Sequence, residues 1–359
     1  MTPSSKSAAF VMAGGGTGGH VMPALAVARE LRARGHEVRF IGTRRGLESK
    51  LAPGDGFPIE WIEIGGLMRV GLRQTLTTLA ELPWSVWQVS RMLDRARPAA
   101  VFSTGGFVAG PVLLAALWKR LPVVVMEPNA VPGFTHRKLA RFVARALLGF
   151  PETAKWFPSG VTEVTGLPVR QEFFSIPPKP RASSVLTVLI TGGSQGSRTL
   201  NRAAQESWKL WDKSAIRLIH QTGPAAYDHL APEFQSSGIE GEISPFLADM
   251  PAAFASADIV VSRAGMGTVS ELAAAGRPSI LVPLPTAADQ HQLRNAEAME
   301  RIGAARMVLD AEFDGRRLIE EVMRLSRSPD VLHAMGESAR GFAKPGAASR
   351  AADVLESFI

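Results

Sequence analysis

The chain of 359 residues contains no cysteine, which excludes disulfides and thiolate metal sites and leaves nothing to suggest an oxidising compartment. Its seven histidines are scattered without a His-x-x-x-His pair, and no Asp-x-Asp element offers carboxylates to a divalent cation. No metal and no cofactor is therefore expected. Long apolar runs are missing as well. The longest uncharged stretch, PAAVFSTGGFVAGPVLLAALW from Pro98 to Trp118, is broken by its Ser-Thr-Gly-Gly centre and by Pro111. It reads as strand, loop and helix rather than one membrane span of ~20 residues. The opening MTPSSKSAAFVMAGGG has too few apolar residues ahead of its glycines for a secretory leader, so a cytoplasmic protein is expected.

What is present describes an ordinary globular protein, 46% hydrophobic and 20% charged, and long enough for two cores. The net charge of +7 is unevenly spread. Residues 1–180 hold 22 Lys+Arg against 12 Asp+Glu, whereas residues 181–359 hold 18 against 21. A basic first half suits nucleic acid, an anionic membrane or a phosphorylated substrate, and composition does not choose among them.

Apolar strand-like runs alternate with helical patterns: AAFVMAGG, EVRFIGT, AAVFSTGG and PVVVMEPN, each followed by a candidate helix. This predicts parallel strands with crossover helices. The alternation pauses at SIPPKPRASS, residues 175–184, which reads as an interdomain connection, and resumes with VLTVLITGG, IRLIHQTG, ADIVVSRAG and SILVPLP. The expected fold is α/β: two Rossmann-like, doubly wound domains facing a cleft.

Three glycine turns carry the chemistry. The first, AGGGTGGH, contains Gly14, Gly16 and Gly19 at the G-x-G-x-x-G spacing of a dinucleotide site, but the second strand ends in Arg44 and Arg45 where an acid would hold the ribose. An NADP site is one reading of those arginines. The other is a loop stripped of side chains so that backbone N–H groups and a helix N-terminus can meet a phosphate or sugar. His20 is then either a cap or an acid/base group. The second turn, TGGSQGSRTLN, adds Ser194 and Gln195 as donors. The third, SRAGMGTVSELAAAG, ends a strand at Ser262 and starts a helix near Gly267, leaving Glu271 to cap that helix or to bind ribose hydroxyls.

Together GGGTGGHVMPALAVA, GGSQGSRTLN, HQTG and SRAGMGTVSELAAAGRPSILVPLPTAADQHQLRNA resemble the MurG family of bacterial glycosyltransferases, from about Val11 to about Gly303. The resemblance implies a GT-B architecture, with domains at 1–167 plus a C-terminal helix at about 343–359, and at 168–342. The first would bind the acceptor and the second UDP-N-acetylglucosamine. It further implies an inverting transfer to the C4 hydroxyl of the lipid-linked muramyl sugar, converting lipid I to lipid II. The donor site carried over comprises Thr17, Gly18, Gly19, Asn129, Arg170, Ser194, Leu247, Met266, Gly267, Thr268, Val269, Ser270, Glu271 and Gln292. His20 is the candidate general base and Glu127 the alternative. Three positions depart from the family: Pro128 stands for a common glutamine, Leu167 for an asparagine and Phe107 for a frequent tyrosine.

Such an acceptor is tied to a membrane. The segment GLMRVGLRQTLTTLAELPWSVWQVSRMLDRAR mixes Leu72, Leu76, Leu79, Trp84 and Trp87 with Arg69, Arg73, Arg91 and Arg95, and LWKR ends a nearby helix. The expected partners are the donor, lipid I and an anionic membrane surface, without nucleic acid, in a peripheral protein of the cytoplasmic membrane face. Another UDP-sugar enzyme, a lipid glycosyltransferase or an epimerase, would explain the turns equally.

Overall fold

In the computed structural model, residues 7–64, 72–179 and 185–359 are described, 72–80 as backbone alone. The chain divides into two compact units, Met1–Pro168 with Gly346–Ile359, and Val169–Pro345.

The first unit is built on β1 (Ala9–Gly14), β2 (Glu37–Gly42), β3 (Ile59–Trp61), β4 (Ala100–Gly105), β5 (Val123–Glu127), β6 (Arg145–Leu148) and β7 (Thr162–Val164). They form one parallel sheet in the order β3-β2-β1-β4-β5-β6-β7. Every residue of β4 and β5 is buried, as befits strands covered by helices on both faces. The strand order reverses between β1 and β4, the place where ligands of such sheets bind, outside the carboxyl ends. There the pairing slips: Ala13 lies opposite Ser103, but Gly14 lies opposite Gly105. The chain returns to this unit for its last helix, Ala347–Glu356, which packs on the helix Gly18–Ala33. Arg34 there meets Asp353 and Glu356 at 2.7 Å each, and His36 meets Glu356 at 2.8 Å.

The second unit has β8 (Leu186–Thr191), β9 (Ile216–Gln221), β10 (Glu240–Ser244), β11 (Ile259–Ser262), β12 (Ser279–Leu281) and β13 (Arg306–Met307) in the order β10-β9-β8-β11-β12-β13, again all parallel. Its switch point lies between β8 and β11. Val188, Ile190, Leu218, Val261 and Ile280 form one core cluster with Trp208 and Phe313.

The passage between units falls at Pro168–Val169, ahead of the proline-rich stretch read as a connection. Prolines remove backbone donors but leave carbonyls, and here side chains bind carbonyls of the stretch. Arg340 donates to Ile176 O at 3.0 Å and Arg277 to Pro177 O at 3.2 Å, which ties this stretch to the second unit. Residues 180–184 of the stretch lie outside the described residues. Among the described residues no helix is long and apolar enough to cross a membrane.

Candidate active site

The glycines of the first turn separate into two sets. A side chain on Gly14 would lie 2.3 Å from Thr104 Oγ1, and one on Gly15 would lie 2.7 Å from Val108, so packing alone demands both. Gly16 adopts φ +92° beneath the Phe107 ring. Gly18 and Gly19 have no comparable reason, for nothing comes nearer than 3.9 Å. They form the first turn of the 16-residue helix behind Thr17, whose side chain makes no capping bond. Amides at that position have no acceptor within the helix and sit at its positive end, so they can bind an anion or a hydroxyl oxygen.

His20 is not the cap, since Thr17 occupies that position. Its ring Nδ1–H donates to Thr104 O at 2.8 Å, while Thr104 Oγ1 donates back to the His20 carbonyl at 2.7 Å. With the proton held on Nδ1, the neutral ring carries its lone pair on Nε2.

Glu127 ends β5 and is 2% exposed. Its Oε1 accepts from Asn129 N at 3.0 Å and from the Asn129 amide at 3.3 Å. Its Oε2 accepts from Gly133 N at 3.1 Å and from His136 Nδ1 at 2.8 Å. Burial pushes this carboxyl upward, but the hydrogen bond from His136 and the backbone donors of Asn129 and Gly133 outweigh it, and the group lies below the usual carboxylate range. Asn129, expected to meet the donor, thus has its amide turned onto Glu127.

Two groups in this unit escaped the reading of the sequence. Glu48, the first residue of the helix Glu48–Gly54, is fully buried and accepts from Gly16 N at 2.8 Å and from Thr43 N and Oγ1 at 3.0 Å, so it braces the glycine loop from the connection after the second strand. His136, 1% exposed, pairs with Glu127. The only signal for either was a charged residue inside an otherwise structural stretch, RRGLE and PGFTHRKLA.

In the second unit, the turn carrying exposed Ser194 and Gln195 leads into the helix Arg198–Ser207, which Ser197 caps by accepting from Leu200 N at 3.3 Å. The third turn differs. The helix Met266–Ala275 has Gly265 as its cap and no side-chain bond there, and a side chain on Gly267 would meet nothing within 4 Å. The N–H groups of Met266, Gly267 and Thr268 therefore end this helix bare, whereas Val269 and Ser270 are buried behind them.

Glu271 follows one turn later. Burial pushes its carboxyl up to about 7, against the pull of the Arg170 charge. Arg170 itself is exposed and lies 5.1 Å over the Phe173 ring. Gln292 accepts from Leu284 N at 3.0 Å, and its amide nitrogen lies 3.9 Å from where a Gly265 side chain would begin. Leu247 N donates to Gln221 Oε1 at 2.8 Å, and Gln221 in turn donates to Thr191 Oγ1 at 3.2 Å, at the carboxyl ends of β9 and β8. Glu271, Arg170, Gln292, Leu247 and the Ser194 turn all follow strand ends or helix starts of this unit.

The model of the glycosyltransferase family 28 N-terminal domain matches residues 10–148, and that of the C-terminal domain matches residues 187–353. A protein of Solibacter usitatus named UDP-N-acetylglucosamine--N-acetylmuramyl-(pentapeptide) pyrophosphoryl-undecaprenol N-acetylglucosamine transferase is 60% identical over 98% of this chain and 96% of its own. A Halorhodospira halophila protein of the same name is 42% identical over 96% and 97%. The crystal structure of Acinetobacter baumannii MurG superposes with a TM-score of 0.82 at 31% identity, covering 98% of this chain and 99% of that one. This chain belongs to the MurG family. It is a glycosyltransferase of family 28, and its two doubly wound domains are those of that family.

The positions that depart from the usual MurG pattern have local reasons. Phe107 packs its ring edge against Gly16, a contact that needs no hydroxyl. Leu167 is 4% exposed and Pro128 is buried, so neither offers a polar group to solvent.

Proposed function

We propose that the chain transfers N-acetylglucosamine from UDP-N-acetylglucosamine to the C4 hydroxyl of the muramyl sugar of an undecaprenyl-diphosphate-linked muramyl-pentapeptide. The observation that carries the reading is the His20 imidazole, its Nδ1–H held on Thr104 O at the carboxyl edge of the first sheet, with Nε2 left as the basic nitrogen. The names of the two close relatives supply the substrates.

In the proposed step His20 Nε2 takes the proton of the C4 hydroxyl as that oxygen bonds to the anomeric carbon. The bond from that carbon to the UDP oxygen breaks on the opposite face, and UDP leaves with the electron pair. The configuration inverts. Charge accumulates on the diphosphate, and the bare N–H groups of Met266, Gly267 and Thr268 suit it, each helix end contributing about 0.3–1 kcal/mol when exposed and about 2 when sheltered. Glu271 accepts from the ribose hydroxyls. Of the two arginines on which the NADP reading rested, Arg44 lies 5.2 Å over the Trp61 ring. Stabilisation against heat by UDP-N-acetylglucosamine, and not by UDP-glucose or NADPH, is the expected result of a parallel thermal-shift measurement. Stabilisation by NADPH alone overturns the reading.

The same proposal places the enzyme on an anionic membrane surface. Trp84 and Trp87 are 57% and 45% exposed and stack at 4.7 Å on the helix Leu72–Ala96, with Arg91 over Trp87. Trp118, 70% exposed, ends the helix packed beside it. A depression of about 460 Å³ in the same unit is lined by Arg137, Lys138, Arg141 and Trp156. Exposed indole rings among cations suit the headgroup region. Arg69, and the side chains of Leu72, Arg73, Leu76 and Leu79, lie outside the described residues. The doubly substituted Arg137→Glu, Arg141→Glu protein should sediment with anionic vesicles at least about tenfold less than wild type, and as wild type with neutral ones. Equal, negligible binding of the wild type to both vesicles contradicts this part.

A further inference from the structure

We propose that Glu127 and His136 form the buried end of a hydrogen-bond relay that runs through Ser103 and one peptide group to His20, and that all three are positioning residues for the base. The inference rests on the reading of His20 as base.

The relay has one consistent direction. Both oxygens of Glu127 only accept, so the 2.8 Å contact puts a proton on His136 Nδ1. In the neutral ring His136 Nε2 is then an acceptor, and Ser103 Oγ lies 3.4 Å from it, close enough for the hydroxyl to point its proton there. The hydroxyl's remaining lone pairs face Gly105 N–H, which donates to Ser103 Oγ at 3.1 Å. That N–H belongs to the peptide group whose other end is Thr104 C=O, the acceptor for His20 Nδ1–H at 2.8 Å. Every donor in the series points toward the Glu127 carboxylate. A peptide bound at both ends is polarised along this line, which strengthens the acceptor facing His20 and so the basicity of its Nε2. The logic is that of an imidazole oriented by a buried acid, with a second imidazole, a hydroxyl and a peptide interposed.

The geometry of the turn serves this arrangement. Gly105 and Gly106 take φ +100° and +84°. A side chain on Gly105 would begin 3.2 Å from the His20 ring and 3.6 Å from that of His136, so the peptide is sandwiched between the two imidazoles. A side chain on Gly106 would begin 2.2 Å from Gly15 O, which locks the turn against the first glycine loop. Ser103, Glu127 and His136 are 0, 2 and 1% exposed, so no water competes for the series.

Ser103→Ala removes one oxygen atom and is the least disruptive break. Its expected effect is a fall in kcat of roughly tenfold or more with KM for UDP-N-acetylglucosamine within about twofold. Ser103→Thr, which keeps the hydroxyl, restores most of the rate. In ¹⁵N spectra of histidine-labelled protein, the His20 ring shows the Nδ1–H tautomer throughout, because Thr104 O remains its acceptor, and Ser103→Ala and His136→Phe move its Nδ1 resonance in the direction of a weaker hydrogen bond. If Ser103→Ala keeps kcat within about twofold, or if the Nδ1 resonance is unchanged in both variants, the relay is wrong. A wild type that transfers no sugar refutes the proposed function instead, and the spectra still decide on the relay.

Discussion

Replacing His20 by alanine is expected to lower kcat by about 10²–10⁴-fold while KM for UDP-N-acetylglucosamine changes by less than about threefold. The asymmetry follows from where the residue sits. His20 belongs to the first unit and holds its Nδ1 on Thr104 O, whereas the groups assigned to the nucleotide lie in the second unit. Removing the ring deletes the acceptor of the C4 hydroxyl proton and leaves the diphosphate and ribose contacts in place. His20→Gln separates two roles of the ring, for a glutamine amide can donate to Thr104 O but cannot accept a proton at working pH. It should be as slow as the alanine variant and more stable. Near-normal turnover by either variant removes His20 from the mechanism.

Replacing Glu271 by glutamine should move two quantities in opposite directions. In the ligand-free protein burial holds this carboxyl at about 7, above its unfolded value near 4.5. A carboxyl raised on folding favours the folded state below the unfolded value, and that contribution is lost as pH rises through the folded one. Ionised Glu271 therefore costs stability at pH 8. Glu271→Gln should raise stability there by about 1–2 kcal/mol, allowing for the solvent that still reaches the group, and by nearly nothing at pH 5. Donor binding runs the other way. A carboxylate accepts from both ribose hydroxyls and an amide oxygen does so more weakly, so KM for UDP-N-acetylglucosamine should rise by about 10–100-fold. In the wild type that KM should also rise as pH falls through 7, and in the variant it should stay level. Urea denaturation at pH 5 and pH 8, with KM profiles across the same range, reads all four. A variant less stable than wild type at pH 8, or one with unchanged KM, contradicts the assignment.

These two residues also show how far the sequence could be read. Strands ending in glycine turns are visible because parallel strands are continuous apolar runs, and the three turns do lie at or beside the two switch points. The first turn's excess of glycine was informative in a way spacing alone is not: three of its glycines answer to packing and Gly18 and Gly19 do not. Glu48 and His136 were not legible because their contacts depend on how loops fold back at the strand ends. Gly16 reaches Glu48 only once β1 and β2 lie side by side, and His136 reaches Glu127 only because the chain after β5 turns back within nine residues, which no spacing rule shows. The proline-rich stretch misled for a similar reason. Its prolines resemble a linker until Arg277 and Arg340, about a hundred residues and more downstream, bind its carbonyls.

The central claim is a sugar transfer that needs both donor and lipid-linked acceptor. Purified chain, UDP-N-acetylglucosamine carrying a labelled sugar, and undecaprenyl-diphosphate-linked muramyl-pentapeptide should give one labelled β-linked disaccharide per UDP released, and no UDP release when the acceptor is withheld. Conversion of the donor to its 2-epimer without acceptor, or UDP release with the label left in water-soluble sugar, would contradict it.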